Sequence, residues 1–232
     1  MEEVAQMPER SSRPEVVVFD VNETLSDLAP LGLRFAEVGA TASLAKIWFA
    51  ELLRDGFALT VAGSRERFAV LGREGLAALL ADVDLDRDLD AAVDHVMAGF
   101  QSLDVHPDVI AGVRALAAGG LRLVTLSNGA TSVADGLLSR AGLRDEFEQL
   151  FSAEETSSWK PTPAPYEYAA RRCGVDIGAT MLVAVHPWDV DGAARAGAQT
   201  AWVDRDGARY PSYFSAPGRT VTGIDDLAAQ LT

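Results

Sequence analysis

The chain has 232 residues, 48% of them hydrophobic and 23% charged, enough for one sizeable globular core with an inserted or appended subdomain. Its formal charge of −14 excludes the basic footprint that nucleic-acid binding requires and disfavours an anionic membrane surface. The lone Cys173 excludes an internal disulfide, and no run approaches the roughly 18 apolar residues of a membrane span, so a cytoplasmic protein is expected.

Residues 1–14 are polar and acidic, with no apolar stretch of signal-peptide length, and read as a loose tail. Val16, Val17, Val18 and Phe19 then form an unbroken apolar run, the pattern of a strand buried on both faces. That strand ends on Asp20, a carboxylate that a sheet interior does not accommodate alone, and Thr24 follows four residues later. In an open parallel sheet ligands bind outside the carboxyl ends of the strands. An acid placed there is a natural nucleophile, able to form an ester with carbon or phosphorus.

Residues 28–102 carry almost no strand signal. Leu44, Ile47, Trp48 and Leu52 recur at helical spacing, as do Phe68, Leu71, Leu76, Leu79 and Leu80, which predicts a helical cap over 28–102 inserted into a core made of 15–27 and 103–232. The acidic stretch 82–90 fails as a calcium loop, because the positions that need Gly and Glu hold Arg87 and Val93; it reads as a solvated turn between helices.

The α/β pattern resumes after His106-Pro107. A helix ends at Gly119-Gly120, a buried strand over 121–126 runs into Ser127-Asn128-Gly129, and a helix follows to about Ala141. Lys160-Pro161 precedes a helix over 163–173, in which Cys173 reads as a small buried side chain. A third strand, 181–185, ends at His186-Pro187-Trp188-Asp189; a helix over 192–196, a fourth strand over 200–203, a loop over 204–220 and a helix over 224–231 complete the chain. The fold class is α/β, a Rossmann-like core with a parallel sheet plus the inserted cap.

Three strands thus end in polar residues: Asp20, Ser127-Asn128, and His186 with Asp189, while Lys160 arrives from a loop. Singly, each has a structural explanation, as a turn, a surface lysine, a satisfied histidine or a helix cap. Their order in one α/β pattern points instead to a shared crevice.

The same order resembles the haloacid dehalogenase (HAD) superfamily from residue 15 to about 204, and within it the L-2-haloacid dehalogenase branch. VFDVNETLSD is similar to that branch's FDxYGTLxD, Ser127-Asn128 to its SN turn, Lys160-Pro161 with Tyr166 to its KPxxxxY, and HPWDVDGAARAGAQTAWVDR to its SNxWDxxGAxxxGxxxxWxxR. The superfamily's phosphatases carry a second Asp where this chain has Asn22, which cannot act as a general acid, and a magnesium-dependent relative would have an acid where this chain has Val185. The resemblance therefore implies metal-free, cofactor-free hydrolysis of a small 2-haloacid. Asp20 displaces halide to form an ester that water then cleaves.

In this reading Thr24, Ser127 and Lys160 orient Asp20 and keep it ionised, and Asn128 donates to the halide or to the substrate carboxylate. Val21, Asn22, Trp48, Phe49, Phe68, Tyr166 and Trp188 are expected on the substrate's side. The branch's serine and asparagine of the fourth motif are replaced by Ala184 and His186, so His186, oriented by Asp189, is expected to activate the hydrolytic water. The cap arginine that grips the substrate in the branch is replaced by Phe49, so either another cation, such as Lys46, Arg54 or Arg65, takes the role or the substrate is not a small haloacid. A homodimer is common in the branch. The alternatives are a phosphatase acting on a small phosphate ester, and an inactive binding protein of the same fold.

Overall fold

The computed structural model describes residues 13–232; most of the expected N-terminal tail, residues 1–12, lies outside the described residues. The first strand, β1, is Val16–Phe19. Four helices follow before the sheet resumes: α1 (Leu31–Ala36), α2 (Leu44–Val61), α3 (Phe68–Leu80) and α4 (Leu89–Gln101). The chain then alternates through α5 (Val109–Ala118), β2 (Arg122–Ser127), α6 (Thr131–Arg140), β3 (Gln149–Ser152) and α7 (Pro163–Cys173). It closes with β4 (Thr180–Ala184), α8 (Pro187–Ala196), β5 (Gln199–Val203), β6 (Arg219–Val221) and α9 (Ile224–Leu231).

The six strands form one parallel sheet in the order β3-β2-β1-β4-β5-β6. Val18 pairs with Val124 on one side and Leu182 on the other, so β1 is central. Successive strands run outward from β1 in one direction and, from β4, in the other. This reversal opens a crevice at the carboxyl ends of β1 and β4, where α/β folds bind ligands.

Alternation along β1 builds both faces of the core. Val17 and Phe19 pack with Val113, Leu116, Leu138 and Leu227 of α5, α6 and α9, whereas Val16 and Val18 pack with Tyr166, Ala169, Val190 and Ala193 of α7 and α8. A helical cap, α1–α4, has its own apolar cluster, including Phe35, Trp48, Phe49, Leu76 and Phe100, which also takes in Trp159 from the loop preceding Lys160. Asp88 caps α4, its side chain accepting from the Ala91 amide at 2.9 Å, and Asp86 pairs with Arg87, so the acidic stretch is a turn between helices. Cys173 is buried. Among the described residues no helix is long and apolar enough to cross a membrane.

Three elements differ from expectation. Strand β3 lies where no strand was read, because its four residues begin with Gln149 and occupy the sheet edge. Strand β6 sits at the end of the expected 204–220 loop; only three residues of it pair, again at an edge. The helix expected over 192–196 starts at Pro187. Proline suits the first helical position because its missing N–H needs no partner there. Trp188 and Asp189 consequently occupy the first turn of α8.

Candidate active site

Asp20 leaves β1 directly, its amide donating to Val183 O of β4 at 3.0 Å, which fixes the carboxylate over the crevice. Thr24 Oγ1 donates to Asp20 Oδ2 at 2.6 Å and itself accepts from the Val185 amide at 3.1 Å. The hydroxyl is thereby oriented from both sides. Trp202 Nε1 donates to Val185 O at 2.9 Å and braces the turn after β4.

Lys160 is completely buried. Its ammonium spends all three donors within the site: Asp20 Oδ1 at 2.8 Å, Asp189 Oδ2 at 2.6 Å and Leu126 O at 2.9 Å. Burial works against the ammonium's charge, but Asp189 and Asp20 outweigh it and raise its pKa. Burial also disfavours ionised Asp20, yet the Lys160 charge and the bond from His186 hold that carboxyl well below the usual range. Asp189 is pushed up by burial, against the pull of Lys160. Tyr166 Oη donates to Asp189 Oδ1 at 2.5 Å, and burial beside that carboxyl keeps the phenol protonated.

His186 does not bond to Asp189, the partner expected for it. Its Nδ1 lies 3.1 Å from Asp20 Oδ2 and its Nε2 2.8 Å from Glu23 Oε2. Carboxylate oxygens only accept, so both ring nitrogens carry protons. Burial opposes that charge, but the bonds to Asp20 and Glu23 prevail and raise His186 to about 9. A charged imidazole cannot take a proton from water, so the free enzyme does not hold His186 in the form that the expected role as hydrolytic base requires. The ring lies between two aromatic neighbours, Trp188 at 5.0 Å and Phe49 at 6.5 Å between centroids, both near parallel. Trp188 in turn contacts Phe57 edge-on at 5.0 Å and lies under the Lys160 ammonium at 5.9 Å.

The other expected residues divide. Ser127 Oγ accepts from the Gly129 amide at 3.0 Å, a turn contact, and makes no bond to Asp20. Asn128 clasps the Lys160 peptide, with its Oδ1 accepting from the amide at 2.9 Å and its Nδ2 donating to the carbonyl at 3.4 Å, and so positions Lys160. Tyr166 likewise serves Asp189. Val21 and Asn22 are buried in the turn after β1, with Asn22 bridging to Ser26. Trp48 is interior to the cap, donating to Gly72 O at 2.8 Å, and Phe68 stacks on Phe100 and Trp159. Among the three substitute cations, Arg54 pairs with Glu51 and Asp55, Arg65 donates to Thr156 O, and Lys46 is exposed on α2. None of them bonds to a residue of this cluster.

Glu23 was not foreseen. It holds the left-handed backbone conformation, φ 61°, the only non-glycine residue among those described to do so. His106 Nε2 donates to its carbonyl at 3.0 Å. The signal was present in the first motif, where Glu23 stands at the glycine of FDxYGTLxD.

The family model of the haloacid dehalogenase-like hydrolases matches residues 14–197. The chain belongs to that family. It is 27% identical over 215 residues to haloacetate dehalogenase H-2 of Moraxella sp. (strain B), covering 92% of this chain and 96% of that one. It is 30% identical over 202 residues to (S)-2-haloacid dehalogenase 4A of Burkholderia cepacia, covering 86% and 87%. The L-2-haloacid dehalogenase of Xanthobacter autotrophicus with chloropropionic acid covalently bound superposes with a TM-score of 0.83 at 25% identity, over 94% of this chain and 98% of that one. In this haloacid dehalogenase-like hydrolase the central strand runs directly into Asp20, with the buried Lys160 beside it.

Proposed function

We propose that this hydrolase cleaves the carbon–halogen bond of small 2-haloacids through an ester on Asp20, without a metal. The observation that carries this reading is the position of Lys160 Nζ, within 2.8 Å of Asp20 and 2.6 Å of Asp189. The ammonium fills the space between the two carboxylates and leaves Asp20 ionised, as a nucleophile must be. A cation bridging Asp20 and Asp189 would have to expel it. Asn22 and Val185 offer neither a general acid nor a further carboxylate, which counts against phosphoryl transfer.

In the first half-reaction an Asp20 oxygen attacks the carbon from the side opposite the halogen, and the carbon–halogen electron pair leaves as halide. Water then adds to the Asp20 carboxyl carbon, the bond from that carbon to the ester oxygen breaks, and a 2-hydroxy acid departs. One proton is released and the carboxylate is restored. The relatives named above, with haloacetate and 2-haloacid dehalogenase activities, support this substrate class. The Phe49 and Trp188 rings beside His186, with Phe57 against Trp188, favour short, largely apolar side chains on the substrate.

The test is free halide measured from a panel of 2-chloro-, 2-bromo- and fluoro-carboxylic acids with EDTA present, beside Asp20→Asn. Halide release that survives EDTA and vanishes in the variant is expected. Release only with added magnesium, or none from any acid, overturns the reading.

A further inference from the structure

We propose that His186, kept charged by Glu23, joins Thr24 in an oxyanion site at Asp20 Oδ2 that drives hydrolysis of the Asp20 ester. The inference rests on the dehalogenase reading above and adds what this chain's own Glu23–His186 pair does within it.

The two oxygens of Asp20 differ in their remaining acceptor capacity. Each carboxylate oxygen offers two acceptor lobes. Oδ2 has both filled, by Thr24 Oγ1 at 2.6 Å and His186 Nδ1 at 3.1 Å, whereas Oδ1 has one partner, Lys160 Nζ at 2.8 Å. The oxygen with a free electron pair is therefore Oδ1. When Oδ1 bonds to the substrate carbon and the carbon–halogen pair departs, Oδ2 remains as the ester carbonyl. Water then adds to the carboxyl carbon and the carbonyl π pair moves onto Oδ2. The negative charge develops where the Thr24 hydroxyl and the His186 N–H already point. The intermediate collapses by breaking the bond to Oδ1, which leaves as the hydroxyl oxygen of the product with one proton of the attacking water. The second proton goes to solvent, and the water oxygen completes the Asp20 carboxylate. Donors aimed at developing charge in a buried site are among the strongest devices for accelerating such steps.

Alkylation poses a particular problem that Glu23 answers. While Asp20 is ionised it helps to hold the proton on His186; once esterified it is neutral and that help is gone. Glu23 is untouched by the chemistry and still accepts from Nε2 at 2.8 Å. His186 thus stays charged through the intermediate, the one stage at which Oδ2 needs it. The titratable groups around His186 are few. Asp20 and Glu23 touch it, and Lys160 lies beyond Asp20. Cap helix α2 and helix α8 contribute the uncharged rings of Phe49 and Trp188. His106 and Arg205 reach the backbone carbonyls of Glu23 and Thr24, and Arg205 is itself paired with Asp108. Glu23 is a positioning residue here, whereas His186 touches a reacting atom.

The experiment follows one turnover of 2-chloropropionate by rapid quench, reading halide and, by mass spectrometry, alkylated Asp20, between pH 6 and 10. Wild type, Glu23→Gln, Glu23→Gly and His186→Asn are compared. The glycine variant suits the φ of 61° and guards against a folding defect. The expected result is a halide burst that persists in all three variants and is slowed far less than ester hydrolysis, which falls roughly 100-fold in His186→Asn. In both Glu23 variants the ester accumulates, and its hydrolysis declines at a lower pH than in wild type. A wild-type burst with the same ester lifetime and pH profile in the variants overturns this inference alone. Slowing of the burst as large as that of ester hydrolysis assigns the pair to the first step and also overturns it. Absence of halide and of alkylated Asp20 in wild type removes the dehalogenase reading and this inference with it.

Discussion

Glu23 Oε2 and His186 Nε2 lie 2.8 Å apart, and Glu23 adopts a φ of 61° in making that contact. A left-handed conformation at a non-glycine residue costs about 1 kcal/mol or more, and such strain persists where surrounding contacts impose it. The contact has a consequence for stability against pH. His186 rises from 6.5 in the unfolded chain to about 9 in the folded one. A raised pKa contributes stability that is fully present below pH 6.5 and lost as the pH climbs through 9. By linkage, that rise corresponds to about 3 kcal/mol at most. Urea unfolding at pH 6, 7.5 and 9.5 is expected to show this decline in wild type and a much flatter profile in His186→Asn. An equal decline in both would assign it to other groups.

Lys160→Met is expected to damage both fold and chemistry. The substitution leaves Asp20 and Asp189 buried and facing each other without the ammonium that separates them. Removing one partner of a buried ion pair costs about 3–5 kcal/mol. Protonation of one carboxyl relieves the repulsion, so the loss in urea midpoint should be smaller at pH 5 than at pH 8. Halide release should vanish at both. A variant as stable as wild type at pH 8 would contradict the bonding described for Lys160.

Strands β1, β2, β4 and β5 were legible because each is a short, mostly apolar stretch of four to six residues that is nearly all buried, bounded by turn residues and too short for a helix of this core. The edge strands β3 and β6 were not, since one side of an edge needs no apolar residue and both are short. In the site, the order Asp20, Lys160, Asp189 could be read because each residue ends or follows a recognisable element. What the order does not carry is which atoms meet. Tyr166 and Asn128 were expected to face substrate, yet one holds Asp189 and the other the Lys160 peptide. His186 was paired with Asp189, three residues away in sequence, whereas its partners come from the turn after β1 on the neighbouring strand. Contacts across a parallel sheet are fixed by register, and register is invisible in a local pattern.

Phe49→Arg tests whether a cation at the cap position is compatible with this site. The Phe49 ring is buried and lies 6.5 Å from the His186 ring. A guanidinium there would face an imidazole already charged, and like charges at that separation disfavour both. The His186 pKa, followed by the imidazole resonances of the folded protein, is expected to fall from about 9 toward neutrality. The variant should also lose stability, by about 1–3 kcal/mol for forcing a larger polar group into a packed position. An unshifted His186 would mean that the arginine points away from the crevice.

Gly192→Ala probes the scaffold behind Lys160 without altering any charge. Gly192 lies on α8, one turn beyond Asp189, where a β-carbon would meet Pro161 Cβ at 2.5 Å, Pro161 O at 2.7 Å and Tyr166 Oη at 2.8 Å. Two of those atoms belong to the peptide that follows Lys160, and the third holds Asp189 by its hydroxyl. Real β-carbons do not approach backbone so closely, so either α8 or the 160–161 segment must move. Stability should drop by about 1–3 kcal/mol, the range for overpacking a close contact. A shift of Lys160 or Asp189 misplaces the nucleophile, and small misplacements of reacting groups cost rate steeply. The effect is therefore expected in kcat for halide release far more than in KM, because no residue bordering the substrate changes. A variant with normal kcat and reduced stability would show that the Lys160–Asp189 geometry tolerates movement of α8.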